Sequence, residues 1–324
     1  MSIILTHLGD STPLYMKDCI HQIRLLNTRY PIYIILDKCH TTDFWLNLVK
    51  IYEVKLVYTD TLTSTTHHTY FTNNFKGDTF RKGYWKYVKE RFFYIEELMA
   101  RESLEHVLSF EYDVLIYMNI EPIIEKFKAS HQTLRFVRDN DVKGHPACIY
   151  IPNSNCIQHF NMFLVQTLGD SIDDMEALAY YANTYNNVHY LPVLTQEKNS
   201  LVKNRKSLVG HISKNPYYLS EDSEYFGILF DSLVVGQWIS GIDSRNIGGQ
   251  KISNYENESA LYSIKEMNLK WEKENFLWKP ILDSRPLFMI HMHSKALSSF
   301  RSDRPDCPKD DYDVKSLHES LLPN

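Results

Sequence analysis

Three short apolar runs near the start of the chain close on polar residues: IILTHL at residues 3 to 8, IYIILD at 32 to 37 and VKLVY at 54 to 58. Short, mostly apolar runs of this length predict strands. Between them, the pattern predicts a helix beginning near Pro13, after Ser11 and Thr12, and a second over Phe44 to Ile51. Strand, crossover helix and strand in repetition predict an α/β sheet with its first three strands parallel and ligands at their carboxyl ends.

Residues 59 to 76, rich in Thr, Ser, His and Asn, show no period and read as a loop, with His67 and His68 solvated. From Gly83 to Arg101, Trp85, Val88, Phe92, Ile95 and Met99 recur at three- and four-residue spacing, which predicts an amphipathic helix with that stripe in the core. Helices are expected near 121–129, 155–168 and 173–185, with strands near 133–138 and 147–151 and in VHYLPV. The pattern weakens from about 195 to 285, then LFMIHMHSK at 287–295 returns to an apolar strand. The segment from about 301, with Pro305, Pro308 and many charges, reads as a loosely docked tail.

Composition narrows the class. With 324 residues, 44% of them hydrophobic, the chain can bury a large core. A net charge of −5, spread without long blocks, gives no electrostatic reason to expect nucleic acid. Cys19, Cys39, Cys148, Cys156 and Cys307 form an odd set with no C-x-x-C pair, so a reducing, cytoplasmic setting is the simpler expectation. MSIILTHLGD lacks the build of a signal peptide, and no run approaches the length of a membrane span.

Two places carry candidate chemistry. In SFEYDVLIY, residues 109–117, Glu111 and Asp113 sit between two apolar strands, where carboxylates suit a divalent cation. Near the other end, His291 and His293 alternate with Met292 and are followed by Lys295; on a strand the two imidazoles share a face.

The order of these parts resembles nucleotide-sugar-dependent glycosyltransferases of the GT-A fold. The resemblance rests on Gly83 to Tyr117, similar to the helix, strand and D-x-D block of glycogenin-like and bacterial lipopolysaccharide sugar transferases. It rests also on DDMEALAYYANTYNNVHYLP from Asp173, on Phe230 to Gly249 and on HMHSKAL from His291. It implies a GT-A (Rossmann-like) mixed sheet flanked by helices, with a metal site at the strand edge. One domain over 1–300 is expected, with a nucleotide-binding half (1–118), an acceptor half (119–300) and a tail (301–324).

By the same resemblance, Asp113, Glu111, His293 and His291 would hold Mn2+ or Mg2+. Thr6, His7, Leu8, Asp37, Arg91, Tyr112 and Lys295, with Glu111, would contact a UDP- or GDP-sugar, and the hexosyl or pentosyl unit would pass to a glycan acceptor. Phe230 to Gly249 would face that acceptor, and Trp238 is a candidate for stacking on a sugar. Glu111 departs from the first aspartate of D-x-D, leaving Asp113 the firmer ligand. Asp173, Asp174 and Glu176 cannot all point inward from one helix; Asp174, with Asp173, is the candidate catalytic acid. A binding protein that has lost catalysis and a metal-dependent hydrolase are the alternative readings. A nucleotidyltransferase would carry a Gly-rich basic loop after the first strand, and only Gly9 and Asp10 stand there.

Overall fold

The computed structural model describes residues 1–76, 80–168, 172–202, 204–246 and 254–308. Its first half alternates strands and helices: β1 (Ser2–His7), α1 (Met16–Leu26), β2 (Ile32–Leu36), α2 (Asp43–Tyr52), β3 (Lys55–Tyr58), α3 (Thr66–Asn74), α4 (Tyr84–Arg101) and β4 (Val107–Phe110). β1 pairs in parallel with both β2 and β4, and β2 with β3, so four neighbouring strands end on one edge. Every residue of β2 and β4 is buried, as unbroken apolar runs require.

Beyond β4 come β5 (Val114–Ile116), α5 (Glu121–Ala129), β6 (Leu134–Asn140), β7 (Lys143–Ile151), α6 (Ser154–Gln166), α7 (Asp174–Thr184) and β8 (Val188–Tyr190). The main sheet has the order β3-β2-β1-β4-β7-β6-β8, in which β7 alone runs antiparallel to its neighbours. The mixed sheet flanked by helices is therefore present. The chain finishes through α8 (Gln196–Val202), α9 (Ser223–Phe226), α10 (Val234–Ser240), β9 (Leu269–Glu274), β10 (Leu277–Leu282), β11 (Arg285–Pro286) and β12 (Met289–His291). β12 leaves the hairpin region to pair antiparallel with β5, His291 opposite Val114.

Several expectations are corrected. The polar stretch 59–76 is not a loop: it holds α3, whose Thr65 side chain caps the His68 amide. His67 and His68 are not solvated, because α3 packs on α4, with Phe71 against Phe93 and the two histidines on the buried Glu96 and Glu97. Trp85 leaves the predicted core stripe, being 37% exposed on the first turn of α4, and Val88 is half-buried. The first helix begins at Met16 rather than near Pro13.

The weak stretch 195–285 contains the β9–β10 hairpin, hidden in the sequence because LKWEKE lies mostly exposed. Residues 301–308 dock: Ser302 accepts from the Trp278 amide and the Gln22 amide group, and its own N–H reaches Gln22. Residues 309–324 of the expected tail lie outside the described residues. Among the described residues, no helix is long and apolar enough to cross a membrane.

Candidate active site

β4 ends at Phe110, and the chain turns through Glu111 and Asp113 before β5 starts a second, two-stranded sheet with β12. That turn is fixed by backbone bonds, Glu111 N to the Ala147 carbonyl and Met292 N to the Asp113 carbonyl. The acids of residues 109–117 and the histidine of 287–295 thus meet at the carboxyl edge of the parallel strands. Glu111, Asp113 and His291 each offer a ligand atom, all within 4.8 Å of one another. His291 Nε2 lies 3.1 Å from Asp113 Oδ2 and 3.3 Å from Glu111 Oε2, while its Nδ1 is buried without a partner.

The donor set suits a divalent cation, two carboxylates and one imidazole being common ligands of Mn2+ and its neighbours. Lys295 Nζ donates to the same Asp113 oxygen. Burial alone would raise the Asp113 carboxyl, yet His291 and Lys295 hold it well below the usual range.

His293 does not join the cluster. β12 ends at His291, so the strict alternation expected of the two histidines is lost after it. The His293 Nδ1 accepts from the Asp243 amide at 3.2 Å, and burial, with Lys295 and His291 nearby, drops its pKa to about 3. It is a neutral ring set between the cluster and a pair that sequence reasoning missed, Asp243 and Arg245. Both Asp243 oxygens accept from the Arg245 guanidinium, which, with Lys295, holds Asp243 at about 2 against burial.

On the other side of the acids, Arg91 on α4 donates to Glu111 Oε1 at 2.6 Å and to Asp174 Oδ2 at 2.5 Å. Its partners are thus not acids of its own helix. Of the three acids opening α7, only Asp174 turns to this site. Asp173 is the helix cap, closing a capping box with Glu176, and Lys143 binds Asp173 at 2.6 Å. Burial pushes the Asp174 carboxyl up to about 6, against the pull of Arg91 and with help from Glu111 and Asp173.

At the head of β1 the candidate nucleotide residues form a small aromatic wall. His7 Nε2 donates to the Ser11 carbonyl at 2.6 Å and its Nδ1 accepts from the Tyr112 hydroxyl at 3.0 Å; burial lowers its pKa to about 4. Trp45 and His40 pack behind it at 5.7 and 4.9 Å between ring centres. Thr6 Oγ1 is buried and unpaired, and Leu8 is half-buried beside it. Asp37 is engaged in holding loops, accepting from the Gly9 amide at 2.6 Å and the Thr59 hydroxyl at 3.2 Å.

The segment from Phe230, expected to face an acceptor, props the cluster through its first residues. Asp231 is fully buried and accepts from the amides of Val235, Gly236 and His291 at 2.9, 3.0 and 3.1 Å. α10 approaches β12 so closely that a Cβ on Gly236 would stand 1.8 Å from the His291 carbonyl oxygen. Trp238 has the Lys265 ammonium 5.6 Å from its ring centre, which leaves that face covered. Residues 247–249 of the segment lie outside the described residues.

No family model matches the sequence, and no curated protein does. Solved structures do resemble it. Mouse xyloside xylosyltransferase 1, in its apo form, shares 11% identity over 61% of this chain and 89% of that one, with a TM-score of 0.44. The galactosyltransferase LgtC, solved with donor and acceptor sugar analogs, shares 11% over 62% and 78%, at 0.43. The glycosyltransferase GlyE of Streptococcus pneumoniae shares 11% over 59% of this chain and 44% of that one, at 0.37. The likeness is one of chain path. At such identities and scores it says nothing of what this chain binds or turns over.

Proposed function

We propose that the protein is a divalent-metal-dependent glycosyltransferase that moves a sugar from a nucleoside diphosphate, of the uridine or guanosine type, to a glycan acceptor. One observation carries the reading: Glu111, Asp113 and His291 converge with Lys295 on one side and the Arg91–Asp174 pair on the other, at the carboxyl edge of four parallel strands. A cation held by Glu111, Asp113 and His291 would offset the charge that builds on a departing diphosphate. Lys295, then released from Asp113, supplies a second positive charge to the same oxygens. Arg91 orients Asp174 toward the sugar, and Asp174 is the acid suited to the acceptor hydroxyl. Thr6, His7, Leu8 and Tyr112 form the wall against which the nucleoside lies, with Asp37 fixing the loops beside it.

The test is thermal stability of the full chain with uridine, guanosine, cytidine and thymidine diphosphates and their sugars, with and without Mn2+. A ligand at about 100 times its Kd adds about 2.7 kcal/mol. One nucleotide class is expected to raise Tm only when Mn2+ is present, and Asp113→Asn to lose both that shift and turnover. Stabilisation by no nucleotide at millimolar concentration would sink the reading.

A further inference from the structure

Outside this site, two open clefts meet at one tyrosine. The first, of about 560 Å³, is lined by Arg138, Asp141 and Asn183; the second, of about 390 Å³, by Gln196, Asn199 and Glu221. Asn215 and Tyr217 line both. Tyr217 is 53% exposed, yet its ring is not loose: it stands edge-on against Tyr190 and Tyr218, each 5.9 Å away between centres. A fixed, exposed aromatic plane between two clefts is a platform for a ligand with an apolar face.

The charges under the groove are already spent. Arg138 donates to the Asn140 and Asp141 carbonyls, the Tyr190 hydroxyl and Asn183 Oδ1 at 2.6–3.1 Å. Asp141 Oδ1 accepts from the Tyr218 hydroxyl at 2.8 Å, and Glu221 Oε1 is engaged by His189. Lys214 adds an ammonium only at the exposed rim. Acceptors remain, however. Gln196, Ser200, Asn186 and Asn215 present exposed amide and hydroxyl groups to the two clefts. An anion would meet two acids and no free guanidinium. A purely apolar ligand would leave amides and hydroxyls desolvated without partners. A neutral, hydroxyl-rich molecule suits this lining: hydroxyls for the exposed amides and a ring face for Tyr217.

We propose that the Tyr217 groove is a second carbohydrate-binding site, one that grips the neutral oligosaccharide part of the acceptor away from the transfer site. The part about the acceptor rests on the glycosyltransferase reading. It is favoured by strand direction: β6 and β8, which carry Arg138 and Tyr190 toward their carboxyl ends, run the same way as β4, so the groove opens on the sheet edge that also presents Glu111 and Asp113.

The experiment is calorimetric titration of the full chain with maltohexaose, cellohexaose, xylohexaose and chitohexaose, in the absence of nucleotide and Mn2+. At least one should bind at millimolar concentration or below. Tyr217→Ala, a surface change, should weaken it about tenfold, which is about 1.4 kcal/mol, while keeping the wild-type Tm and nucleotide response. Asp113→Asn should bind the oligosaccharide as wild type does. Binding by none of the four, or binding unchanged in Tyr217→Ala, overturns the proposal. Oligosaccharide binding through Tyr217 without any nucleotide response would fail the transfer reading and leave the sugar site standing.

Discussion

Arg91 is one cation shared by two acids, and its Nε is buried without a partner. Burial by itself would lower its pKa, but Glu111 and Asp174 raise it, so the charge is retained. Replacing it by Gln leaves two carboxylates facing each other with no cation between them, a loss on the order of 3–5 kcal/mol where the group is buried. Sugar transfer in Arg91→Gln is expected to fall by at least about a hundredfold, with free diphosphate binding much less affected; equal losses in steady-state kinetics and nucleotide titration would place Arg91 outside the sugar site. His68 offers a test of stability instead of function. Its ring lies between Glu97 at 2.7 Å and Glu90 at 3.5 Å; burial opposes its charge, but the two acids prevail and raise its pKa to about 9. A group bound more tightly to its proton when folded stabilises below its unfolded pKa, near 6.5, and that stabilisation fades as pH rises through about 9. The unfolding free energy from urea titrations should therefore drop between pH 6 and pH 9.5, by an amount on the order of 3 kcal/mol. In His68→Gln the protein should start lower at pH 6 and show a flatter profile over that window.

At the scale of elements, α10 and β12 form one unit. Asp231 ties the amides of both, and Gly236 allows their backbones to touch. Gly236→Ala must push α10 off β12 and with it shift His291, at a cost of about 1–3 kcal/mol for overpacking. Mn2+ affinity in that variant is expected to fall about 10- to 100-fold, the usual effect of disturbing a ligand's support; isothermal titration would read it, and an unchanged affinity would show that His291 does not depend on α10. Sequence pattern could not announce this, since a glycine in an apolar stretch carries no sign of what approaches it. β1, β2 and β4 were legible because each is a mostly apolar, buried run, and Glu111 with Asp113 because they interrupt such runs. α3 was not, because Phe71 is the one fully buried apolar residue of its contact face, beside Thr65, His67 and His68 against glutamates of α4, which leaves no apolar period. Arg245 and Asp243 escaped for a related reason: they lie in a non-repeating stretch and gain meaning only from the Asp243 amide meeting His293. The opening of α7 was ambiguous in one dimension and resolved in three, with Asp173 spent on the cap and Asp174 turned inward.

For the molecule as a whole, the two-stranded sheet is the joint between its halves. β5 belongs to the chain segment that completes the parallel sheet, β12 to the segment that follows the hairpin, and the candidate metal ligands straddle them. Mn2+ alone should accordingly slow amide exchange over 111–116 and 289–295 together, leaving β9 and β10 unchanged; protection confined to one of the two stretches in a hydrogen-exchange experiment would contradict a shared site. The same joint sets a timetable for biosynthesis. Asp113 and His291 are 178 positions apart, which at ribosomal rates of about 5–20 residues per second is roughly 10 to 35 s of elongation. Over that interval the nascent chain carries β5 with a free edge and the Asp113 carboxylate without His291 or Lys295 to answer its charge. A bare, wholly apolar strand invites pairing with other chains, and the charged turn that precedes it is what stands guard until the histidine arrives.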